Sequence, residues 1–309
     1  MRVVFLGTPE FAVPTVDALA AAGHEVLAAV AQPDRPAGRG QALRPPAVKG
    51  WAEAHGVPVL QPAKVRDGAL AAALAPLRPD LLVVTAYGRI LGRDLLRLAP
   101  LGAVNVHASI LPRWRGAAPI QWAVAAGDAE TGVTLMQMDE GLDTGDALVV
   151  RTTPIGPEET AEALAPRLAA LGAATLVEAL PRLAAGELVP VPQDAARATL
   201  APILTRDHGR LDFTRPAAEL AARVRGFTPW PGTFTTLDGK VLKVHRARPG
   251  PDGAAGTPGT ARGVAGALRV ACGGGSALDV LELQPEGRKR MPAGDFLNGL
   301  SGRALVLGA

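Results

Sequence analysis

Along the first 150 residues, short apolar runs alternate with stretches in which apolar residues recur every three or four positions. Four of the apolar runs are typical of buried strands: Val3–Leu6, Val26–Ala31, residues 80–84 and residues 103–107. Four stretches have the spacing of helices: Glu10–Ala22 and residues 47–55, 67–75 and 119–126. Strands that alternate with helices predict a Rossmann-like α/β fold with a parallel sheet, in which ligands bind at the carboxyl ends of the strands.

The pattern changes in the second half of the chain. Residues 160–184 predict one long amphipathic helix, and the proline-containing segment Val189–Asp194 favours extended backbone. Beyond a helix near 217–226, short strand-like runs are separated by glycine and proline: 233–237, 240–245, 267–271 and 277–283. They predict a small β-barrel or sandwich. We therefore expect a first domain over residues 1–188, a linker over 189–205 and a C-terminal domain over 206–309.

Composition excludes several classes of protein. The chain has 309 residues, 48% hydrophobic and 20% charged, which is ordinary for a soluble globular protein and sufficient for two domains. A single cysteine, Cys272, excludes an internal disulfide framework and favours a reducing compartment. The five histidines lack metal-ligand spacing, so we expect no metal. We find no signal peptide and no apolar run of about 20 residues, and expect a cytoplasmic protein without a membrane partner.

Charge is unevenly distributed, although the formal net charge is only +3. Residues 1–200 contain 17 Lys and Arg against 20 Asp and Glu, a net charge of −3. Residues 201–309 contain 15 against 9, a net charge of +6. A basic C-terminal part predicts a polyanionic partner. On charge alone, a basic surface without a partner is an equally good interpretation.

The candidate chemistry lies at the end of the fourth apolar run. Asn105 and His107 are two residues apart, and residues i and i+2 of a strand point to the same face. Asp143, in the sequence Leu-Asp-Thr-Gly-Asp, brings a carboxylate from another loop. Together they supply a donor for an oxyanion, a proton carrier and a group that orients it, as acyl transfer requires. Singly, each has a structural explanation: a strand-end amide, a core histidine and a turn-forming aspartate.

Two loops precede this site in the sequence. Residues 32–46 carry Arg35, Arg39 and Arg44 with little apolar content. Structureless loops longer than about 12–15 residues are usually functional or disordered, and arginines on them suit the phosphates of a large anionic substrate. A solvated surface loop is the alternative. Gly7-Thr8-Pro9, after the first strand, lacks the other glycines of a nucleotide-binding loop, so a tight turn is the better interpretation.

Apolar residues on either side of the fourth run complete the candidate site. We expect Tyr87, Ile90 and Leu91, with the apolar members of Ser109–Pro112, to line a slot for a flat heterocycle. Such a slot matches the mostly apolar lining of small-molecule sites, which add only a few polar groups for orientation.

Several segments, spread over essentially the whole chain, carry a family resemblance. They are Phe5-x-Gly7-Thr8-Pro9-Glu10-Phe11, Gln32–Gly40, Asn105-x-His107, Ser109–Ile120, Met138–Gly145, Trp230-Pro231-Gly232 and Leu283–Gly287. These segments resemble the methionyl-tRNA formyltransferases. The Asn, His and Asp set is shared by enzymes of this fold that use 10-formyltetrahydrofolate, whereas the arginine loop and the additional barrel domain are similar to those of the tRNA enzymes.

The resemblance implies a Rossmann-like formyltransferase domain, an OB-like β-barrel, and formyl transfer from 10-formyltetrahydrofolate to methionine on initiator tRNA. Asn105 would hold the formyl oxygen, His107 would stabilise the tetrahedral intermediate and move protons, and Asp143 would set the charge and orientation of His107. The implied folate-binding residues are Tyr87, Gly88, Ile90, Leu91, Ser109, Ile110, Leu111 and Pro112. The implied tRNA-binding residues are Arg35, Arg39, Arg44, Arg206, Lys243, Arg246, Arg288, Lys289 and Arg290. We expect a monomer.

The chain departs from the family pattern in two places. Ile110-Leu111 replaces the usual Leu-Leu, which conserves volume. Leu200 and Ile203, with only Arg206 nearby, stand where the family usually has a tyrosine and several lysines, which argues against a contact between the linker and tRNA. Two alternatives stay open. One is a formyltransferase or hydrolase of the same superfamily that acts on a small amine, and the other is a non-catalytic RNA-binding relative.

Overall fold

The computed structural model describes residues 1–37, 42–251, 256–299 and 305–308. The chain divides into two compact units. The first comprises Met1–Pro119, Glu130–Pro154 and Ala165–Pro202. The second comprises Ile120–Ala129, Ile155–Leu164 and Ile203–Ala309. The expected domain division at 188 and 205 stays a prediction.

The main sheet of the first unit has the strand order β10-β9-β7-β6-β1-β2-β5. Over residues 1–202 the strands are β1 (Arg2–Gly7), β2 (Glu25–Val30), β3 (Arg35–Ala37), β4 (Ala42–Arg44), β5 (Val59–Leu60), β6 (Leu81–Thr85), β7 (Ala103–His107), β8 (Arg115–Gly116), β9 (Glu130–Gln137), β10 (Ala147–Pro154) and β11 (Leu200–Ala201). The helices are α1 (Val13–Ala21), α2 (Ala47–Ala54), α3 (Ala69–Leu74), α4 (Arg93–Leu96), α5 (Pro119–Ala125) and α6 (Ala161–Ala184).

Strands β7, β6, β1, β2 and β5 are mutually parallel, and four of them were predicted from the alternating pattern, whereas the two-residue β5 was not. Their residues are mostly buried because crossover helices cover the faces of such a sheet. Strands β9 and β10 join antiparallel at the β7 edge and were not predicted from the sequence. No crossover helix separates them, so the alternation that revealed the other strands is missing here. The connection between β9 and β10 carries Asp143.

Helix α6 confirms the long helix predicted over 160–184 and packs closely against β7. A Cβ on Gly172 would lie 2.6 Å from Val106 Cγ1, so only glycine permits this approach. By length and composition alone α6 meets the criterion for a helix that could cross a membrane, although Glu162, Arg167 and Glu178 interrupt its apolar residues. The core helix of a soluble protein meets the same criterion, and half of the apolar window of α6 is buried.

The arginine-rich segment 32–46 is not structureless over its described residues. β3 and β4 pair antiparallel as a short hairpin. Asp34 anchors its base, because its carboxylate accepts hydrogen bonds from Lys49 Nζ (2.8 Å) and Gln61 Nε2 (2.6 Å). These bonds, led by that from Gln61, lower the pKa of Asp34. Arg39 lies outside the described residues.

The segment 189–205, predicted as a linker, is hydrogen-bonded to the first unit over its first part. Val191 forms a bridge with Ala147, and β11 pairs parallel with β8. Extended backbone, which the prolines favour, is the conformation that such pairing needs.

The second unit contains a curled antiparallel sheet with the strand order β12-β13-β16-β15-β14-β18, and β17 pairs with β16. Its elements are α7 (Ala217–Gly226), β12 (Thr233–Leu237), β13 (Lys240–Pro249), β14 (Thr260–Val264), β15 (Ala267–Ala271), β16 (Ala277–Pro285), β17 (Met291–Pro292), α8 (Ala293–Asn298) and β18 (Leu305–Val306). Leu220 and Val224 of α7 pack with Leu242, Val270 and Leu283 of the sheet in one core. The predicted helix over 217–226 is confirmed, as are the four predicted strands.

Cys272 belongs to this core, and burial raises the pKa of its thiol to about 11. Because the thiolate is the reactive form, we expect the native protein to react with a thiol reagent at about pH 8 at least about 100-fold more slowly than free cysteine, whose pKa is about 8.5. In denaturant, labelling should become fast. Rapid labelling of the native protein would contradict the placement of Cys272 in the core.

Candidate active site

Asn105 and His107 lie at the carboxyl end of β7, and both are buried. Their side chains meet the same carboxylate. Asn105 Nδ2 lies 3.5 Å from Asp143 Oδ1, and His107 Nδ1 lies 3.7 Å from Asp143 Oδ2. The two-residue spacing on a strand therefore brings an amide, an imidazole and a carboxylate together at the edge of the sheet where this type of fold binds ligands.

Asp143 is held by the backbone around it. Its φ of 50° lies in the left-handed region, which is unfavourable for a residue with a Cβ. The Gly116 N–H donates to Asp143 Oδ2 at 2.8 Å. Gly116 itself has a φ of 125°, and a Cβ there would lie 2.6 Å from the Ala201 carbonyl oxygen. Glycine is therefore needed at 116 for this N–H to reach the carboxylate.

The ring of His107 lies between two acceptors. Its Nε2 is 3.0 Å from the Trp114 carbonyl oxygen, on the side opposite Asp143. Because a carbonyl only accepts, a hydrogen bond to Trp114 requires the tautomer of His107 that carries its proton on Nε2, and this tautomer leaves the lone pair of Nδ1 available. If Nδ1 takes a proton, the resulting cation lies beside the Asp143 carboxylate. The arrangement suits a group that accepts a proton during a reaction.

The predicted folate-binding residues divide into buried and accessible ones. Ser109 is fully buried, and its hydroxyl donates to the Arg113 carbonyl at 2.6 Å, so this side chain shapes the loop and does not face a ligand. Leu111 is also buried, and its N–H donates to Thr134 Oγ1 at 3.1 Å. Ile110 and Pro112 are partly buried and remain accessible for an apolar contact.

The expected slot does not include the side chains of Tyr87 and Leu91. Both are buried in the core beside β6, because the chain turns inward after that strand. Ile90 is 42% exposed and Gly88 is exposed, so backbone atoms and Ile90 are what this segment offers a ligand. Gln32 was not predicted as part of the site, yet its Nε2 donates to the Tyr87 carbonyl at 2.8 Å and fixes the segment.

Arg35 and Arg44 are cross-strand partners in the β3–β4 hairpin, and both are exposed. Directly opposed residues of a strand pair share a face, so two positive charges lie side by side. Arg35 also donates to Gln32 Oε1 at 2.6 Å. The hairpin therefore presents a doubly positive face that suits an anionic group.

The predicted tRNA-binding residues of the second unit gather along β13 and β16. Arg206 and Lys243 line a shallow depression of about 330 Å³, with Gln284 beside them. The turn after β16 folds over Gln284, whose Nε2 donates to the Arg288 carbonyl at 2.9 Å. The residues of this basic strip are Arg206, Lys243, Arg246, Arg288, Lys289 and Arg290, all exposed.

Arg290 differs from the others because it forms an ion pair with Glu282. The hydrogen bond from Arg290 lowers the pKa of the Glu282 carboxyl. The strip therefore contains one charge that is already opposed. Lys243 has no ion-pair partner among the described residues.

Comparison with known proteins identifies the family of the chain. Residues 1–180 match the family described as "Formyl transferase", and residues 203–301 match "Formyl transferase, C-terminal domain". The chain is 66% identical to a methionyl-tRNA formyltransferase of Anaeromyxobacter dehalogenans, with 100% of both chains covered. It is 57% identical to a protein of the same name from Myxococcus xanthus, over 96% of this chain and 95% of the relative. The chain belongs to the methionyl-tRNA formyltransferase family.

Two solved structures share the fold of this formyltransferase chain at low identity. HypX from Aquifex aeolicus, in complex with tetrahydrofolic acid, is 19% identical with a TM-score of 0.62 over 96% of this chain. The chain spans about half of that protein, with 47% covered. An N-formyltransferase from Helicobacter canadensis, in complex with folinic acid and dTDP-3-aminofucose, is 14% identical with a TM-score of 0.67. It matches over 91% of this chain and 98% of its own.

Proposed function

We propose that this protein transfers the formyl group of 10-formyltetrahydrofolate to the α-amino group of methionine on initiator tRNA, in the cytoplasm. The observation that carries the proposal is the convergence of Asn105, His107 and Asp143 at the carboxyl end of β7. Full-length relatives named methionyl-tRNA formyltransferase support the tRNA substrate. The tetrahydrofolic acid bound to HypX supports a folate cosubstrate.

The reaction begins when the methionine amine attacks the formyl carbon. A C–N bond forms, and the carbonyl becomes an oxyanion on a tetrahedral intermediate. Asn105 Nδ2 donates a hydrogen bond to this oxygen, and such a donor typically contributes about 10²–10³ in rate. Burial of Asn105 strengthens the effect because water does not compete for the same oxygen.

The attacking amine must then lose a proton. His107 Nδ1 accepts it, since Nε2 is already committed to the Trp114 carbonyl. The Asp143 carboxylate, 3.7 Å away, stabilises the imidazolium that forms. Collapse of the intermediate breaks the bond to N10 of the folate, which receives a proton from the imidazolium. The products are formylmethionyl-tRNA and tetrahydrofolate.

Residues 1–188 hold the folate and the reacting groups in this proposal, and the basic strip of residues 206–309 binds the phosphates of tRNA. The partly buried Ile110 and Pro112 and the exposed Ile90 supply apolar contacts for the folate ring. The paired Arg35 and Arg44 meet phosphates near the acceptor end.

Salt dependence tests the role of the strip. Lys243→Ala should weaken tRNA binding and lower the slope of log K against log salt by about 1, because one phosphate contact is lost. Arg290→Ala should change the slope less, since Glu282 already opposes its charge. Binding of wild type and both variants is measured by filter binding over a series of salt concentrations. An unchanged slope for Lys243→Ala would contradict the contact.

The proposed reaction is tested by comparing amine acceptors at a fixed concentration of 10-formyltetrahydrofolate. Methionyl initiator tRNA, free methionine and an amino-sugar nucleotide are each supplied, and formylated product is measured by mass spectrometry. We expect rapid formylation of the tRNA-bound methionine alone. Preference for a free amine would support the small-amine alternative instead. Folate binding without any product would support the non-catalytic one.

A further inference from the structure

Gln193 lies between α6 and β11, and its side-chain amide joins two loops of the candidate active site. Its Nε2 donates to the backbone carbonyls of Asp143 at 3.0 Å and Gly145 at 2.6 Å. Its Oε1 accepts from Nε and Nη2 of Arg115, at 3.0 and 2.8 Å. Both hydrogens of the amide and both acceptor positions are therefore used within the first unit.

The two loops that Gln193 joins also meet at the reactive carboxylate. Arg115 is followed by Gly116, whose N–H donates to Asp143 Oδ2. The contacts form a closed circuit from the Asp143 carbonyl through Gln193 and Arg115 to Gly116, and back to the Asp143 carboxylate. A shift of either loop changes the position of that carboxylate relative to His107.

Asp143 needs such support because its backbone is left-handed, a conformation that persists only where the surroundings enforce it. The loop is packed closely as well. A Cβ on Gly145 would collide with the Gln137 carbonyl oxygen, so the loop has little room to move without breaking contacts. The donors of Gln193 act on both residues at once.

The chain near Gln193 also forms hydrogen bonds with the loop that contacts His107. Thr199 Oγ1 accepts from the Trp114 N–H at 2.9 Å, and the Thr199 carbonyl accepts from the Arg115 N–H at 2.9 Å. The Trp114 carbonyl in turn faces His107 Nε2. Residues 193–199 therefore form hydrogen bonds with both Trp114 and Asp143, the two residues whose oxygen atoms flank the ring of His107.

We propose that Gln193 is a positioning residue for formyl transfer, which acts through Asp143 and touches neither substrate. This inference rests on the proposed function. Misplacement of a reacting group by about 1 Å typically costs about 10²-fold in rate. We therefore expect loss of the amide to lower kcat by about 10- to 100-fold, while KM for tRNA and for folate changes by less than about threefold.

The test uses two variants and a matched control in the full-length protein. Gln193→Glu keeps the size of the side chain and an acceptor for Arg115, but replaces the donating Nε2 with an oxygen that repels the carbonyls of both Asp143 and Gly145. Gln193→Leu removes every hydrogen bond. Gln137→Glu is the control, since Gln137 Nε2 also donates to two backbone carbonyls, those of Leu101 (3.4 Å) and Ala103 (3.2 Å) at the amino end of β7. Its kcat should stay near that of wild type.

A double-mutant cycle with Asp143→Ala separates positioning from general loss of structure. Single-turnover rates and thermal midpoints are measured for each variant. If Gln193→Leu does not fold, the comparison is made with Gln193→Glu alone. If Gln193 acts through Asp143, its replacement should lower the rate in wild type and have almost no further effect in Asp143→Ala. The inference would be overturned if kcat were unchanged in the Gln193 variants, or if the rate fell by the same factor in the wild-type and Asp143→Ala backgrounds. In either case, activity of the wild-type protein would leave the proposed function intact. A folded wild type that does not formylate methionyl-tRNA would overturn both.

Discussion

Replacement of His107 by alanine is expected to lower the single-turnover rate constant of formyl transfer by about 10²–10⁴-fold, the usual contribution of a positioned acid–base group. Among the residues that the structure describes, the imidazole is the group beside Asp143 that can take a proton from the attacking amine and return it to the folate. Its loss also leaves the Asp143 carboxylate, which is largely buried, without the cation that forms during the reaction.

His55→Ala is the control for this prediction. His55 stacks on Trp51 with ring centroids 4.3 Å apart, and its Nδ1 lies 2.8 Å from the Trp51 carbonyl oxygen at the end of α2. Its loss should reduce thermal stability modestly and leave the transfer rate near that of wild type. Equal rates for wild type and a folded His107→Ala protein would show that another group moves the proton.

Replacement of Asn105 gives the second large effect. Asn105→Ala should lower kcat by about 10²–10³-fold, because one donor to the developing oxyanion is lost. Asn105→Asp is nearly isosteric but places a carboxylate beside both the oxyanion and Asp143, 3.5 Å from the original amide nitrogen. We expect it to be at least as impaired as the alanine variant.

Steady-state kinetics of the two variants separate the electrostatic role of Asn105 from its shape. KM for methionyl-tRNA should change little, since the interaction forms mainly in the transition state. Asn298→Ala, in α8, is a suitable control for asparagine replacement in general. An Asn105→Asp protein that retains wild-type kcat would exclude the amide as the oxyanion donor.

Four of the five parallel strands, and the position of Asn105 and His107 at the end of β7, were predicted from the sequence because both follow from local patterns. Apolar runs between helical stretches identify strands that are buried on both faces, and the spacing of Asn105 and His107 fixes their common face. Asp143 was predicted from residue type and resemblance, but its loop follows from β9 and β10, whose antiparallel pairing depends on contacts distant in sequence.

Other parts of the site could not be read from local patterns. Tyr87 and Leu91 have the composition of a ligand slot, yet the turn after β6 directs both side chains into the core. Gln193 is one of two polar residues in the proline-containing segment Val189–Asp194, and nothing in its sequence neighbours indicates that it reaches Asp143 and Arg115. Its role depends on tertiary contacts 50 and 78 residues away in the chain.

The most direct test of the central claim is a crystal structure of the protein with a stable analogue of 10-formyltetrahydrofolate. The claim is that Asn105, His107 and Asp143 surround the transferred formyl group. It predicts a formyl oxygen about 2.7–3.1 Å from Asn105 Nδ2, with the formyl carbon facing His107 Nδ1. A folate bound with its formyl group beyond the reach of all three side chains would contradict the account.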